Sequence, residues 1–313
     1  MDKRISVSVV IPVYNNEKYI QRCLDSIVNQ TVKDYKVIIV DDGSSDNSLA
    51  ICKKYAQDYD NLECYSIKTA GVSNARNYGI ERVDTEYIMF MDSDDVVSEH
   101  FVEIMLKTII DAKCSIAECR YRRIGETDKY DFDNISEKYT KLSKKDAILK
   151  LTLNENTHYV WNKIFKTSVF EGVRFISNRY YEDIAIMYRL FENAEQIAYV
   201  EAELYGYCIN PSSITSTHDD KKREDILLCW MEQYEYFKDR YPELEERCLD
   251  RIAHYYINAF DNTKEYNESL KHINGKITSY YKKIMKSNVK SKDKLKIKLA
   301  KNLPRIYVAK NRR

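Results

Sequence analysis

Asp92 and Asp94 stand two apart, directly after the apolar run 87–91. Carboxylates at that spacing suit a hard divalent cation, Mg2+ or Mn2+, which keeps few protein ligands and takes the rest from phosphates and water. The quartet Asp92-Ser93-Asp94-Asp95 would equally cap a helix beginning near Ser98, where carboxylates favour the helix dipole. A second acidic pair, Asp41-Asp42, runs into Gly43-Ser44. It reads as a turn with an N-cap, or as an acceptor for a base-edge N–H of a bound nucleotide with the Tyr14 ring lining the same pocket. Arg76 lies where the loop at Gly71 enters a helix. It suits a phosphate, a nearby Asp, or an exposed helix salt bridge.

These residues need elements to hold them. The first half of the chain alternates strand and helix signals, which predicts a mostly parallel sheet with helices on its faces. Strands are expected at 5–11, 35–40, 62–67, 86–91 and 114–119, and helices at 17–30, 46–59, 73–82 and 98–111. Ser44 or Ser45 would cap the second helix and Ser98 the fourth. In open α/β sheets ligands bind outside the carboxyl ends of the strands. The polar clusters 12–15, 41–46 and 92–95 all fall at that edge. Beyond it the pattern loosens. Residues 121–137 read as a polar excursion and 143–153 as a short helix, with short strands at 159–165, 174–175, 197–200 and 204–208. A helix lies within 178–193, and helices then dominate at 223–238, 242–262, 269–286 and 290–300. There is no GxxxxGK(S/T) and no GxGxxG, so P-loop and dinucleotide-binding chemistry are poorly supported.

Composition narrows the class. The 313 residues are 44% hydrophobic and 32% charged, enough for a sizeable core and for one large domain with an appendage. The net charge of +1 hides an asymmetry: residues 276–313 hold fourteen Lys/Arg and one acid, Asp293, leaving the remainder at −12. An acidic body argues against nucleic-acid binding. The eight cysteines include no CxxC pair, and no apolar run approaches the roughly 18–20 residues of a membrane span, so reduced thiols and a cytoplasmic location are expected, with no secretory leader at the start.

The ordered series Val10-Ile11-Pro12-Val13-Tyr14-Asn15, Gln30-Thr31, Val40-Asp41-Asp42-Gly43-Ser44-Ser45-Asp46, Gly71–Gly79 and Phe90-Met91-Asp92-Ser93-Asp94-Asp95 resembles glycosyltransferase family 2. A weaker likeness continues through Trp161–Phe165 and Tyr181-Glu182-Asp183 to Ser213-Ile214-Thr215. The resemblance implies the α/β GT-A fold and an inverting transfer of sugar from a nucleoside diphosphate, usually uridine, to an acceptor hydroxyl. It implies that Pro12, Tyr14, Asp42, Arg76, Asp92 and Ser93 contact the nucleotide sugar, that Asp94 ligates Mn2+ or Mg2+, and that Asp183 is the catalytic base. Glu182-Asp183 would otherwise cap the helix 184–193. Relatives often carry a basic residue shortly before the Ser-Ile-Thr segment; here Tyr207 is followed by Cys208, Ile209, Asn210 and Pro211, so His218, Lys221 or Lys222 is a candidate replacement.

On that resemblance the catalytic domain spans 1–217, with a nucleotide-sugar half at 1–97 and an acceptor half at 98–217, and 218–313 is a helical region ending in the basic tail. The implied partners are a UDP-sugar and a glycan or lipid-linked glycan of the cell surface. Leu295, Ile297, Leu299, Leu303, Ile306, Tyr307 and Val308 lie among the tail's bases, which suits an anionic membrane face or a solvated basic helix. Trp161 is an acceptor platform or a core residue, and His100, His158, His254 and His272 lack ligand spacing. Two other readings are a sugar nucleotidyltransferase, which would need a Gly-rich loop after the first strand, and a catalytically silent nucleotide-sugar binder or scaffold.

Overall fold

The computed structural model describes residues 6–68, 71–125, 130–132, 135–153, 157–210 and 219–310. The chain forms two compact units. The first opens with three strand–helix repeats: β1 (Val7–Val13), α1 (Ile20–Val28), β2 (Tyr35–Asp41), α2 (Ser48–Asp58), β3 (Leu62–Ser66) and α3 (Val72–Ile80). Then come β4 (Tyr87–Phe90), β5 (Val96–Val97), α4 (Phe101–Asp111), β6 (Ile116–Ile124), β7 (Tyr139–Ser143), α5 (Lys144–Leu153), β8 (Lys163–Lys166), α6 (Glu182–Asn193) and β9 (Gln196–Cys208).

The sheet order is β3-β2-β1-β4-β8-β6-β9-β5, with β7 on β9. All seven residues of β1 are buried. That is why the strand reads as an unbroken apolar run: in a parallel sheet covered on both faces, neither face of a strand meets water. β1, β2, β3 and β4 are mutually parallel, and β8 then joins β4 antiparallel. β6 pairs parallel with β9, so the far side of the sheet is mixed. Gly79 lets α3 lie close on the sheet, because a Cβ there would overlap the Val10 side chain.

Several boundaries differ from expectation, and side-chain hydrogen bonds explain most of them. α1 starts at Ile20 rather than 17, because Asn16 N donates to Ser48 Oγ (2.7 Å) and Glu17 N to Asp46 Oδ2 (3.0 Å). Neither Ser44 nor Ser45 caps α2: Ser44 Oγ accepts from Asn15 N, Ser45 N donates to Asn15 Oδ1, and Asp46 Oδ1 receives Ser48 N. α4 begins at Phe101, three residues after Ser98, whose Oγ accepts from His100 N. The expected strand at 174–175 is absent; the Asn77 amide replaces a ladder there, accepting from Phe175 N and donating to Phe175 O. The excursion expected from 121 begins later, since β6 continues to Ile124 beside β9 through register shifts near Arg120. Residues 197–208 form one strand, and the strand expected at 159–165 is reduced to β8.

The second unit groups segments 149–153 and 179–185 with the helices from 219 on. These are α7 (Asp220–Phe237), α8 (Glu245–Asp261), α9 (Glu268–Lys276), α10 (Thr278–Lys286), α11 (Ser291–Asn302) and α12 (Pro304–Ala309). α8 is the hub: α7, α10, α11 and α12 all pack on it. The tail therefore divides by face. Ile297, Tyr307 and Val308 are buried, and the Tyr307 hydroxyl donates to Asp261 Oδ1 at 2.7 Å. Leu295, Leu303 and Ile306 are 59%, 48% and 59% exposed. No helix among the described residues is long and apolar enough to cross a membrane. All eight cysteines are free thiols, seven of them buried.

Candidate functional site

The carboxyl ends of β1, β2 and β4 lie side by side, with Pro12 opposite Val40 and Val13 opposite Asp41. Loops leave this edge tied to one another. Asn15, in left-handed backbone (φ 45°), links to Ser44 and Ser45, and Asn16 Nδ2 donates to Ser93 Oγ at 2.8 Å. Tyr14, two residues after Pro12, is 60% exposed.

Asp41 and Asp42 have separate roles. Asp41 is fully buried and accepts from Gly43 N, Ser44 N and Ser66 Oγ, which makes it the closer of the turn. Asp42 is buried, and its Oδ2 takes Gly71 N. Gly71 has φ 121°, a backbone that side-chain-bearing residues rarely adopt. The other oxygen, Asp42 Oδ1, is buried and accepts from no group among the described residues. Burial pushes the Asp42 carboxyl above its ordinary value; the Gly71 N–H opposes this and the Asp41 charge adds to it. A buried carboxylate oxygen without a donor is costly, and a ligand N–H would relieve it.

Arg76 is buried on α3 and donates from Nη2 to Asp92 Oδ1 at 2.8 Å, with Phe175 under its guanidinium at 5.3 Å. The exposed helix salt bridge is thus excluded, and the arginine holds an aspartate of the acidic quartet. Tyr205, on β9, braces the same loop: its hydroxyl accepts from Asp92 N (3.1 Å) and donates to Asp95 Oδ2 (2.7 Å). Asp95 Oδ1 takes Cys208 N, and Asp94 Oδ2 takes Asn210 Nδ2 at 3.3 Å. The quartet is consequently not the cap of α4: Arg76 claims the Asp92 carboxylate, and β9 with the residues after it claims those of Asp94 and Asp95. Burial raises the Asp94 carboxyl above its ordinary value and the Asp95 carboxyl well above it, and the neighbouring aspartate charges reinforce both shifts.

The donor set fits a hard divalent ion with open positions. Asp92 and Asp94 offer carboxylate oxygens on a braced loop, and Arg76 occupies one oxygen of Asp92. Among the described residues no group of three or more His, Cys, Asp or Glu is arranged to hold an ion, so an ion at Asp92 and Asp94 would have to take its remaining ligands from phosphate oxygens and water.

Pro12, Tyr14, Asp42, Arg76, Asp92, Ser93 and Asp94 are therefore brought together at one sheet edge. Asp183 belongs to the second unit, in the first turn of α6, where its Oδ1 accepts from Ile184 N at 2.7 Å. His218 and Ser213-Ile214-Thr215 lie outside the described residues. Lys221 pairs with Asp225 at 2.7 Å, and Lys222 lies over the Tyr180 ring at 5.1 Å, both within the second unit. Trp161 is buried, stacked between Tyr159 (4.6 Å) and Tyr205 (4.4 Å), so it is core. Sequence reasoning missed Asn16, Tyr205 and Asn210. It also missed Arg22, on α1, the cation whose charge acts on Asp94 and Cys208.

A parallel half-sheet whose edge carries a buried, unpartnered carboxylate oxygen and an arginine-braced aspartate loop, continued by a mixed second half, is a GT-A architecture. The pattern of Glycosyl transferase family 2 matches residues 8–174, more than half of the chain. The chain belongs to glycosyltransferase family 2. It is 30% identical over 223 residues to Glycosyltransferase GlyA of Streptococcus pneumoniae, covering 69% of this chain but 32% of that protein. Glycosyltransferase GlyG of the same species is 27% identical over 289 residues, 89% of this chain and 93% of its own. The chain thus spans about a third of GlyA and nearly all of GlyG. In structure it is similar to S. aureus TarS 1-349 in complex with UDP-GlcNAc: TM-score 0.64 at 17% identity, over 95% of this chain and 90% of that one. That likeness establishes the GT-A fold.

Proposed function

We propose that this protein is an inverting glycosyltransferase that moves a sugar from a UDP-sugar to an acceptor hydroxyl of a cell-surface glycan. The observation that carries the reading is the unpartnered Asp42 Oδ1 beside the Arg76-braced Asp92 and Asp94. The oxygen would accept the imide N–H of uracil, with the Tyr14 ring against the base and Pro12 and Ser93 bounding the nucleotide. The binding of UDP-GlcNAc by TarS supports that choice of nucleotide. Asp94, with Asp92, would hold Mn2+ or Mg2+, which when bound neutralises charge on the departing diphosphate. Asp183 accepts the acceptor hydroxyl proton while attack opposite the diphosphate inverts the anomeric carbon. On this reading residues 1–217 form the catalytic domain, split near 97 into nucleotide-sugar and acceptor halves, and 218–313 form a helical region.

Calorimetric titration with UDP and GDP, with and without Mn2+, tests the site. UDP should bind more tightly, and Asp42→Ala should weaken UDP about tenfold, the worth of one hydrogen bond to a charged group. Equal affinity for the two nucleotides in both proteins would sink the reading.

The exposed Leu295, Leu303 and Ile306, set among lysines and Arg305, support peripheral contact with an anionic membrane that carries a lipid-linked acceptor. Flotation with phosphatidylglycerol vesicles should recover the full chain and lose it when all three residues become Ser. The same recovery with neutral phosphatidylcholine vesicles would exclude the electrostatic part of this contact.

A further inference from the structure

Residues 179–184, which carry the Asp183 carboxylate, are held by α7 through a row of polar contacts. Asp225, Cys229, Glu232 and Gln233 lie at i, i+4, i+7 and i+8, one face of that helix. On a core-facing helix this stripe is ordinarily apolar. Here Asp225, Cys229 and Gln233 are buried, and each is spent on the backbone of the segment. Asp225 Oδ2 accepts Tyr180 N at 2.9 Å, Cys229 Sγ donates to Tyr181 O at 3.7 Å, and Gln233 Nε2 donates to Ile184 O at 3.3 Å. Glu232 Oε1 takes Arg179 Nη1 at 2.7 Å, and the other arm of that guanidinium reaches Cys229 Sγ at 3.5 Å. The ammonium groups of Lys221 and Lys222 lie over the Tyr180 ring at 5.4 and 5.1 Å.

The segment needs such a grip. Asn178 and Tyr181 both have left-handed backbone, φ 55° and 59°. A tyrosine persists in that conformation only where its surroundings over-determine it. Four directional bonds from α7 to a strained loop favour a single geometry, whereas an apolar stripe would tolerate several, although Gln233 Oε1, Glu232 Oε2 and Arg179 Nε are buried with no hydrogen-bond partner among the described residues. Asp183 follows Tyr181 by two residues, so the direction of its carboxylate is set by the backbone that α7 fixes.

We propose that α7 is a working part of the catalytic apparatus: Asp225, supported by Glu232 through Arg179, is a positioning residue that fixes the orientation of Asp183. This rests on Asp183 being the base. A misplacement of about 1 Å in a reacting group costs on the order of 100-fold in rate, so loss of the grip should fall on kcat and spare nucleotide binding.

The test uses the full chain and UDP release from UDP-glucose, UDP-galactose and UDP-GlcNAc, with the best of the three carried forward. Asp225→Ala should lower kcat about 100-fold, with donor KM and UDP affinity within about twofold. Amide exchange in residues 179–185 should accelerate. Asp225→Asn keeps an acceptor for Tyr180 N and should recover most of the rate. Asp225→Ala added to Asp183→Asn should cost nothing further, since residues acting as a unit are not additive. Should Asp225→Ala not fold, Glu232→Gln and Glu232→Ala give the same graded pattern. Wild-type kcat in a folded Asp225→Ala, or equal losses in kcat and UDP affinity, overturns the positioning role alone. Wild-type kcat in Asp183→Asn overturns the base assignment and the positioning role with it, as does absence of turnover by the wild-type chain with all three donors.

Discussion

Asp183→Asn should lose transfer by about 100- to 10,000-fold in kcat, the range ascribed to a positioned general base. The change is close to isosteric. The amide cannot take the acceptor proton, so the hydroxyl must attack unassisted near neutral pH. UDP affinity should not move, because on this reading the nucleotide contacts come from Asp42, Arg76, Asp92 and Asp94, whereas Asp183 takes only the acceptor proton. The fold should survive as well: Asp183 Oδ1 accepts Ile184 N at 2.7 Å, and an asparagine Oδ1 accepts that bond equally well. Rate and stability therefore separate two roles that a sequence cannot. A base loses turnover at an unchanged melting temperature; a helix cap loses neither with Asn. Initial rates of UDP release, paired with calorimetric UDP titration, measure both. An Asp183→Asn protein with wild-type turnover would falsify the base assignment.

The parallel half of the sheet was legible because each of β1, β2 and β4 is an apolar run ending in a polar cluster, and parallel strands buried on both faces have no other way to read. The edge that gathers Tyr14, Asp42 and Asp92 followed from that alternation. The groups that hold these residues in place were not legible. Tyr205 braces Asp92 and Asp95 across more than a hundred residues, and one tyrosine among 27 carries no local signal. Asn16 on Ser93 and Asn210 on Asp94 are likewise single polar side chains whose meaning is a distance. Element ends shifted for the same reason: Asp46 and Ser48 take the backbone N–H groups of Glu17 and Asn16, so α1 begins after them. Except that the helix expected at 269–286 divides at Ile277 into α9 and α10, and that α12 was not expected, the helices of the second unit were readable from their periodicity. The polar stripe on α7 was not, because a buried Asp225 at helical spacing resembles a solvated one until its partner is known.

Lys163→Met should cost about 3–5 kcal/mol of folding stability, the penalty for stranding the other half of a buried ion pair. The side chain is fully buried, and its ammonium sits 3.3 Å from Glu118 Oε2. It also donates to Thr157 O and Oγ1 (both 2.9 Å), Tyr159 O (2.7 Å) and Asn162 Oδ1 (3.0 Å). One cation thus folds the turn 157–162 around itself. Methionine fills the volume and supplies none of these donors, so the Glu118 charge and two carbonyls lose a partner without gaining water. The damage should reach the nucleotide edge. Tyr159 and Trp161 ride on that turn, Trp161 stacks on Tyr205, and Tyr205 ties Asp92 to Asp95. Urea titration should show a lowered midpoint, and UDP should bind more weakly even where the variant is fully folded. Pairing Lys163→Met with Glu118→Leu should restore much of the stability, since removing both charges removes the stranded one. It should not restore UDP affinity, because the carbonyls of Thr157 and Tyr159 still lack their donor and the turn stays loose. A single variant within about 1 kcal/mol of wild type, the size of one ordinary hydrogen bond, would mean that Lys163 only fills space and that the turn holds its shape without it.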